Sequence, residues 1–357
     1  KSMVAYITSD YNTGWMHGNC KGAFLSDTDT TNVTGTELIT NPGPNFSDTS
    51  GWGATNGTLS ISSGDLLLTG ANNVNEHMYS SGFTLTSGET YVLFVDSNQL
   101  FSYLRIGTTT ALGTGEQLDT NAGSGLNSYT FTATASGIFY LKLGMVTSYV
   151  TGSINSVSLR LAEEDRSVNN NGLQVFGTIT KTPVATGADL VGYSGFSASN
   201  YLQQPYNSDL NYGTGTYYFM YWLNSPVDGS DRSVFCQGDY ATAKGMYTLA
   251  HNSSGTGNQL LVGDGGGTVV IQNHENQGWV QICLVRSNGT LFGYRNGVLQ
   301  GTASSTQNIT SVNTSVVFGA MVNNGNIGFI YQGKLSLFRT GASAPSAEQI
   351  KKIYEDE

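Results

Sequence analysis

The stretch Gly278-Trp-Val-Gln-Ile-Cys-Leu-Val-Arg-Ser-Asn-Gly-Thr-Leu-Phe-Gly-Tyr-Arg-Asn-Gly-Val-Leu-Gln-Gly301 reads as three strands joined by two turns of one kind. Trp279, Gln281, Cys283 and Val285 alternate with Val280, Ile282, Leu284 and Arg286, a period of two on a strand mostly apolar on both faces. Asn288-Gly289 and Asn296-Gly297 each supply the positive φ values that a tight hairpin needs. Thr290 to Arg295 between them is short and aromatic. The stretch is a β-meander.

The rest of the chain has the composition to match. In 357 residues there are 46 Gly and 20 Tyr, only 11% are charged, and Ser, Thr and Asn are abundant, which suits many turns and a neutral polar surface. Apolar residues make up 38% and recur in strand-sized runs, so the chain is folded, and its length fits two domains. The net charge of −10 and the absence of a basic patch argue against nucleic acid and anionic membrane as partners. No window approaches the ~18 apolar residues of a membrane span, so no membrane insertion is expected. A weakly charged Asn/Thr/Tyr surface suits an uncharged polymer such as a glycan. Cys20, Cys236 and Cys283 are odd in number and far apart, which implies neither a disulfide framework nor a zinc site.

Taken in order, residues 1–35 form an N-terminal connector, with a strand at Met3–Ile7, a turn at Asp10–Gly14 and a polar run at Ser26–Asn32. Residues 36–162 carry short strands between Gly/Ser/Asn turns, for example Asp65–Thr69, Thr90–Val95, Tyr103–Ile106 and Ile138–Leu143. Ala162-Glu163-Glu164-Asp165-Arg166 is the densest charge cluster and reads as a solvated linker at a domain boundary. Residues 163–357 form a second sandwich, with the long aromatic strand Thr216–Leu223 ahead of the meander. One helix closes it: Ser346 with Gln349 has capping-box spacing, and Ile350, Ile353 and Tyr354 share a face. The fold class is therefore all-β, with two antiparallel β-sandwich (jelly-roll) domains in tandem, a short N-terminal connector and one C-terminal helix. Neither a signal-peptide pattern at Lys1-Ser2-Met3 nor a C-cap glycine after the helix is present, so the chain reads as a fragment of a longer polypeptide.

Three resemblances sharpen this. The W-V-x-I-x-L-V-R strand, with its two Asn-Gly turns and the closing Pro-Ser-x-Glu-type helix, resembles laminin-G/concanavalin A-like jelly rolls, which implies a binding module or a glycosidase. Glu37-Leu-Ile-Thr-Asn41 with Gly51-Trp52, Gly88-Glu89-Thr90-Tyr91 and Ser136–Tyr140 resembles galactose-binding-like carbohydrate-binding modules. The run Ile7–Met16 followed by Leu25–Thr28 resembles a junction segment in large structural proteins of phages that infect marine bacteria. Together they imply a virion location, a host-surface glycan as partner, and other virion subunits in a homo-oligomeric tail fibre.

The chemistry points to binding. A jelly-roll glycosidase needs two carboxylates about 5–5.5 Å apart for retention, hence a pattern such as E-x-D-x-x-E on one strand, and none exists. Serine-hydrolase, zinc-protease and phosphate-loop motifs are also missing. No cofactor is required. The galactose-binding-like family often holds a structural calcium, but here Ser47 and Asn155 stand where acids are usual, and a hard cation prefers carboxylates.

Sugar binding needs an aromatic platform beside planar polar groups. Trp52, Tyr79, Tyr103 and Arg105 are the candidates in the first module, although a tryptophan placed like Trp52 or Trp279 is more often a core residue in such folds. Asp228, Asp231, Arg232, Tyr240 and Asn252 are the candidates in the second. The competing expectation is a structural spacer or assembly domain, and a polysaccharide-degrading enzyme is the third.

Overall fold

The computed structural model describes residues 19–70, 75–113, 116–145, 151–227, 229–251, 258–309 and 315–357. The expected strand and turn within 3–14, the junction run 7–16, Asp228 and Asn252 lie outside them. The chain divides into two compact units, Gly35–Ala162 and a second made of the segments before and after it.

The Gly35–Ala162 unit is an antiparallel sandwich. One sheet runs Gly57–Ser62, Asp65–Gly70, Thr151–Glu163, Thr90–Ser97, Gly125–Thr132. The other runs Leu118–Ala122, Phe101–Gly107, Gly137–Met145, Glu76–Ser80, Trp52–Thr55. Alternation decides what lies between the sheets: Leu66, Leu68, Leu93, Val95 and Leu159 from one, Met78, Leu104, Ile106, Leu141 and Leu143 from the other, all buried. Trp52 belongs to this core, 9% exposed, and its Nε1 donates to the Asn41 carbonyl at 2.9 Å. Asn155 Nδ2 donates to Asp96 at 2.9 Å.

The second unit is a concanavalin A-like jelly roll. Its first sheet runs Val298–Ser304, Thr290–Arg295, Val280–Ser287, Tyr217–Asn224, Lys334–Gly341. Beyond the last strand lie Cys20–Phe24 against one half and Val191–Ser194 against the other. The second sheet runs Leu173–Pro183, Tyr201–Gln204, Val316–Phe318, Arg232–Asp239, Ala243–His251, Gln259–Asp264, Gly267–Gln272. Leu173–Pro183 serves both sheets, and Gly177 (φ +62°) stands where it changes over; a Cβ there would lie 2.1 Å from Asn200 Oδ1.

The meander is as its residues dictate. Asn288 and Gly289 have φ of +49° and +73°, and Asn296 and Gly297 repeat those values, the signs a type I′ hairpin requires. Val280, Ile282 and Leu284 face the inter-sheet core, while Cys283 and Val285 face Ile350 and Ile353 of the helix Ala347–Asp356. The strand is apolar on both faces because both are covered. Ser346 caps that helix with a capping box, and Tyr354 stacks on Trp222 at 5.8 Å between ring centres.

Two expectations are corrected. Cys20–Phe24, read as part of a connector, is a strand of the jelly roll, with Phe24 fully buried among Phe318 and Phe338. Its partner strand lies at the far end of the chain, so no local signal marks it. The 162–166 cluster is not a solvated linker: Glu163 and Asp165 are 5% and 7% exposed. Asp165 accepts from the backbone N–H groups of Ala23, Ser167 and Asn171, each at 2.8 Å, which replaces the water it gives up.

Candidate functional site

In the Gly35–Ala162 sandwich, inward Leu104 and Ile106 force Tyr103 and Arg105 outward, inward Leu141 and Leu143 do the same for Lys142, and Met78 does so for His77 and Tyr79. Register then lines these up. Lys142 stands opposite Tyr79 on one side and Arg105 on the other, Tyr79 opposite Gly53, and Arg105 opposite Asp119. One row across five strands therefore reads Gly53, Tyr79, Lys142, Arg105, Asp119.

The row is held in place by its neighbours. The Arg105 guanidinium lies over the Tyr103 ring at 4.3 Å, its Nε donates to Asp119 Oδ1 at 2.9 Å, and Nη1 donates to the Gly113 carbonyl. Tyr79 lies flat across Gly53, where a Cβ would come within 2.4 Å of its ring, so only glycine lets the ring settle there. His77 sits 6.1 Å from the Tyr79 ring, with its two nitrogens 2.9 and 2.8 Å from the carbonyl oxygens of Asn75 and Thr110. Lys142 is 1% exposed and makes no hydrogen bond or ion pair among the described residues. Burial lowers its pKa, and the Glu116 carboxylate nearby works the other way.

Of the sequence-named residues in this unit, Tyr79, Tyr103 and Arg105 are brought together and Trp52 is on the inner side of the sheet. Lys142, Asp119 and His77 complete the face and were not named. The signal for Lys142 was there, in the alternation of Phe139, Leu141 and Leu143 with Tyr140 and Lys142.

In the jelly roll the named residues do not form one site. Arg232 lines a small, shallow cleft with Ser225, His274, Glu275 and Tyr331, and Asp231 precedes it in the chain. Tyr240 lies just past the other end of the same strand, about 25 Å away by strand rise. There its ring carries the Lys244 ammonium at 4.1 Å and meets Tyr247 edge-on. Within the cleft, His274 is fully buried, with no well-formed hydrogen bond to either ring nitrogen among the described residues, and Tyr331 and Ser225 share a 2.7 Å hydroxyl contact. Among the described residues no three His, Cys, Asp or Glu side chains converge as a metal ion would need.

The family described as the concanavalin A-like lectin/glucanases superfamily (laminin G type) matches residues 196–351. No curated protein matches the chain. Among solved structures, the binding domain of Paraclostridial Mosquitocidal Protein 1 is 13% identical with a TM-score of 0.42, over 54% of this chain and 48% of that one. The botulinum neurotoxin serotype D ligand binding domain, solved with N-acetylneuraminic acid, is 15% identical with a TM-score of 0.40, over 55% and 48%. Domain 4 of AbnA, an extracellular arabinanase from Geobacillus stearothermophilus solved with arabinotriose, is 15% identical with a TM-score of 0.39, over 54% and 92%. The chain thus spans about half the length of the two toxin domains. At these scores the likenesses carry no functional weight.

Proposed function

We propose that the chain is a non-catalytic glycan-binding module of a phage particle, part of a tail fibre or surface decoration. It would engage host-surface polysaccharide through the outer face presented by Tyr79, Tyr103, Arg105 and Asp119, with Lys142 buried beneath them. The observation that carries this reading is the row itself. With Tyr103 beside it, the row gathers two tyrosine rings, a guanidinium and a carboxylate on one sheet face, next to the buried Lys142 ammonium. A sugar presents apolar C–H faces to rings and a rim of hydroxyls to groups that donate or accept in pairs, which is what this face offers. The resemblance of residues 37–52 to galactose-binding-like modules supports the same use. The missing paired carboxylates on one strand favour binding over cleavage.

The test is a glycan array with the intact chain, followed by titration of any ligand found. Tyr103→Ala and Arg105→Ala should each weaken binding about tenfold, the loss of roughly 1.4 kcal/mol. Binding that survives both substitutions unchanged would refute this face, and release of reducing ends from a polysaccharide would refute the non-catalytic reading. A second reading, an assembly or spacer domain of an oligomeric fibre, is favoured by exposed Val298, Leu299 and Val270, 59%, 48% and 41% accessible on two edge strands. An oligomer in light scattering, with no glycan bound anywhere on the array, would select it.

A further inference from the structure

Lys181 and Asp27, 154 residues apart in the chain, meet on the jelly roll with Nζ 2.5 Å from Oδ2. That is closer than the ~2.7–2.9 Å usual for a charged N–H···O pair. The Lys181 ammonium also lies 3.7 Å from Glu163 Oε2, and the side chains of Lys181 and Glu163 are each 6% exposed. Tyr193, fully buried, donates to Glu163 Oε1 at 2.5 Å and accepts from the Asp27 N–H at 3.2 Å, fixing both acids. The other Asp27 oxygen, Oδ1, accepts from the backbone N–H groups of Thr28 and Asp29 at 2.6 and 3.1 Å.

An ion pair needs only the first of these contacts. The remainder are the parts of an acyl-transfer site: an amine, a carboxyl carbon, two backbone donors aimed at the oxygen that would carry negative charge, and a buried acid within reach of the amine. We propose that Lys181 and Asp27 become joined by an isopeptide bond, formed by these side chains alone, with Glu163 moving the protons.

In the step, Lys181 Nζ gives a proton to Glu163, which passes it to Asp27 Oδ2, so that a neutral amine faces a neutral carboxyl group and Nζ attacks Asp27 Cγ. The negative charge collects on Oδ1, against the Thr28 and Asp29 N–H groups. A second proton leaves nitrogen by the same route to Oδ2, the Nζ–Cγ bond remains, and the Cγ–Oδ2 bond breaks. Both protons depart on Oδ2 as one water molecule, and nothing is oxidised or reduced. Burial works to lower the Lys181 pKa, but Glu163 and Asp27 outweigh it, so the reaction starts from the ion pair. Burial raises Glu163 to about 7, against the pull of Lys181 and Tyr193, so near neutral pH it can both take and return a proton. Holding the two groups in contact supplies the effective concentration that free side chains in water lack. The bond would close a covalent ring around residues 28–180, which include the whole Gly35–Ala162 sandwich.

Intact-mass spectrometry of the purified chain tests this. The expected mass is one water below that of the sequence, and proteolysis should yield a branched peptide joining the segments around Lys181 and Asp27. Lys181→Ala, Asp27→Ala and Glu163→Gln should each restore the full mass. An unsubstituted chain of full mass whose two peptides separate overturns the proposal, and the contact is then an ion pair only. Loss of water that persists in Glu163→Gln would overturn the role given to Glu163. Neither result bears on glycan binding.

Discussion

Arg286 and Asp264 form an ion pair at 3.1 Å with side chains 1% and 0% exposed. Arg286 also donates to the carbonyls of Gly213, Gly215 and Gln307, and its guanidinium lies over the Tyr217 ring. Asp264 in turn accepts from Tyr217, Ser305 and the N–H groups of Gly266 and Gly267, which closes the glycine-rich hairpin. The pair therefore fastens several loops to the meander. Replacing it wholesale by apolar residues need not cost stability, but removing one partner leaves the other charged and buried without its counter-charge. Arg286→Met is expected to cost about 3–5 kcal/mol in urea denaturation. Arg286→Lys should recover little of that, since a single ammonium cannot reach acceptors spread around a planar fork.

Trp52 and Tyr103 should separate stability from binding. Trp52→Ala removes a core ring and its bond to Asn41, and should lower stability by about 3–5 kcal/mol. Tyr103→Ala removes a half-buried outer ring and its contact with Arg105, about 1 kcal/mol of stability, while abolishing most glycan affinity. Thermal melts and binding titrations on the same two variants decide the matter. A Trp52→Ala chain that melts like the parent but no longer binds would move the site to that residue.

What could be read from the sequence was what is local. The Asn-Gly pairs declared their own turns, and Ser346 with Gln349 declared the helix start. The face of a strand is also local, so Lys142 was readable from its leucine neighbours even though attention fell on aromatic residues. What could not be read was any fact set by a distant partner. Cys20–Phe24 is a strand because Phe338–Gly341 completes it, and nothing within a few residues says so. Glu163 is buried because Lys181 and Tyr193 receive it, whereas a cluster of charge in sequence argues for solvent. Tyr103 lies outward by the alternation with Leu104 and Ile106, whereas the short run Trp52–Thr55 has no such pattern, so the inward place of Trp52 is set by the strand it pairs with.

The helix Ala347–Asp356 depends on its cap. Ser346 Oγ accepts from the Gln349 N–H, and the Gln349 side chain accepts from the Ser346 N–H at 2.7 Å. Ser346→Ala should destabilise the chain by about 1 kcal/mol, and Ser346→Asp should restore it. Because Ile350 and Ile353 are buried against Cys283 and Val285 of the strand Val280–Ser287, fraying there should expose Cys283. Faster thiol labelling of Cys283 in Ser346→Ala, and parental labelling in Ser346→Asp, are the expected readouts.

The buried imidazole of His274 sets a pH dependence. Burial holds its pKa down to about 4, and the charge of Arg295 adds to the effect, whereas the unfolded chain titrates near 6.5. The folded value is the lower one, so the stability that comes from keeping the ring neutral is complete above about pH 6.5. It is lost as pH falls from there to about 4, a window worth roughly 3 kcal/mol. Carboxylates titrate over part of the same range, so the comparison must be with His274→Gln, which keeps a neutral polar side chain and cannot gain a proton there. Unfolding free energies at pH 7 and pH 4 should fall by about 3 kcal/mol more in the parent than in the variant. Equal losses in the two would mean that His274 takes up its proton in the folded state as readily as in the unfolded one, and that the cleft beside Arg232 and Glu275 admits water.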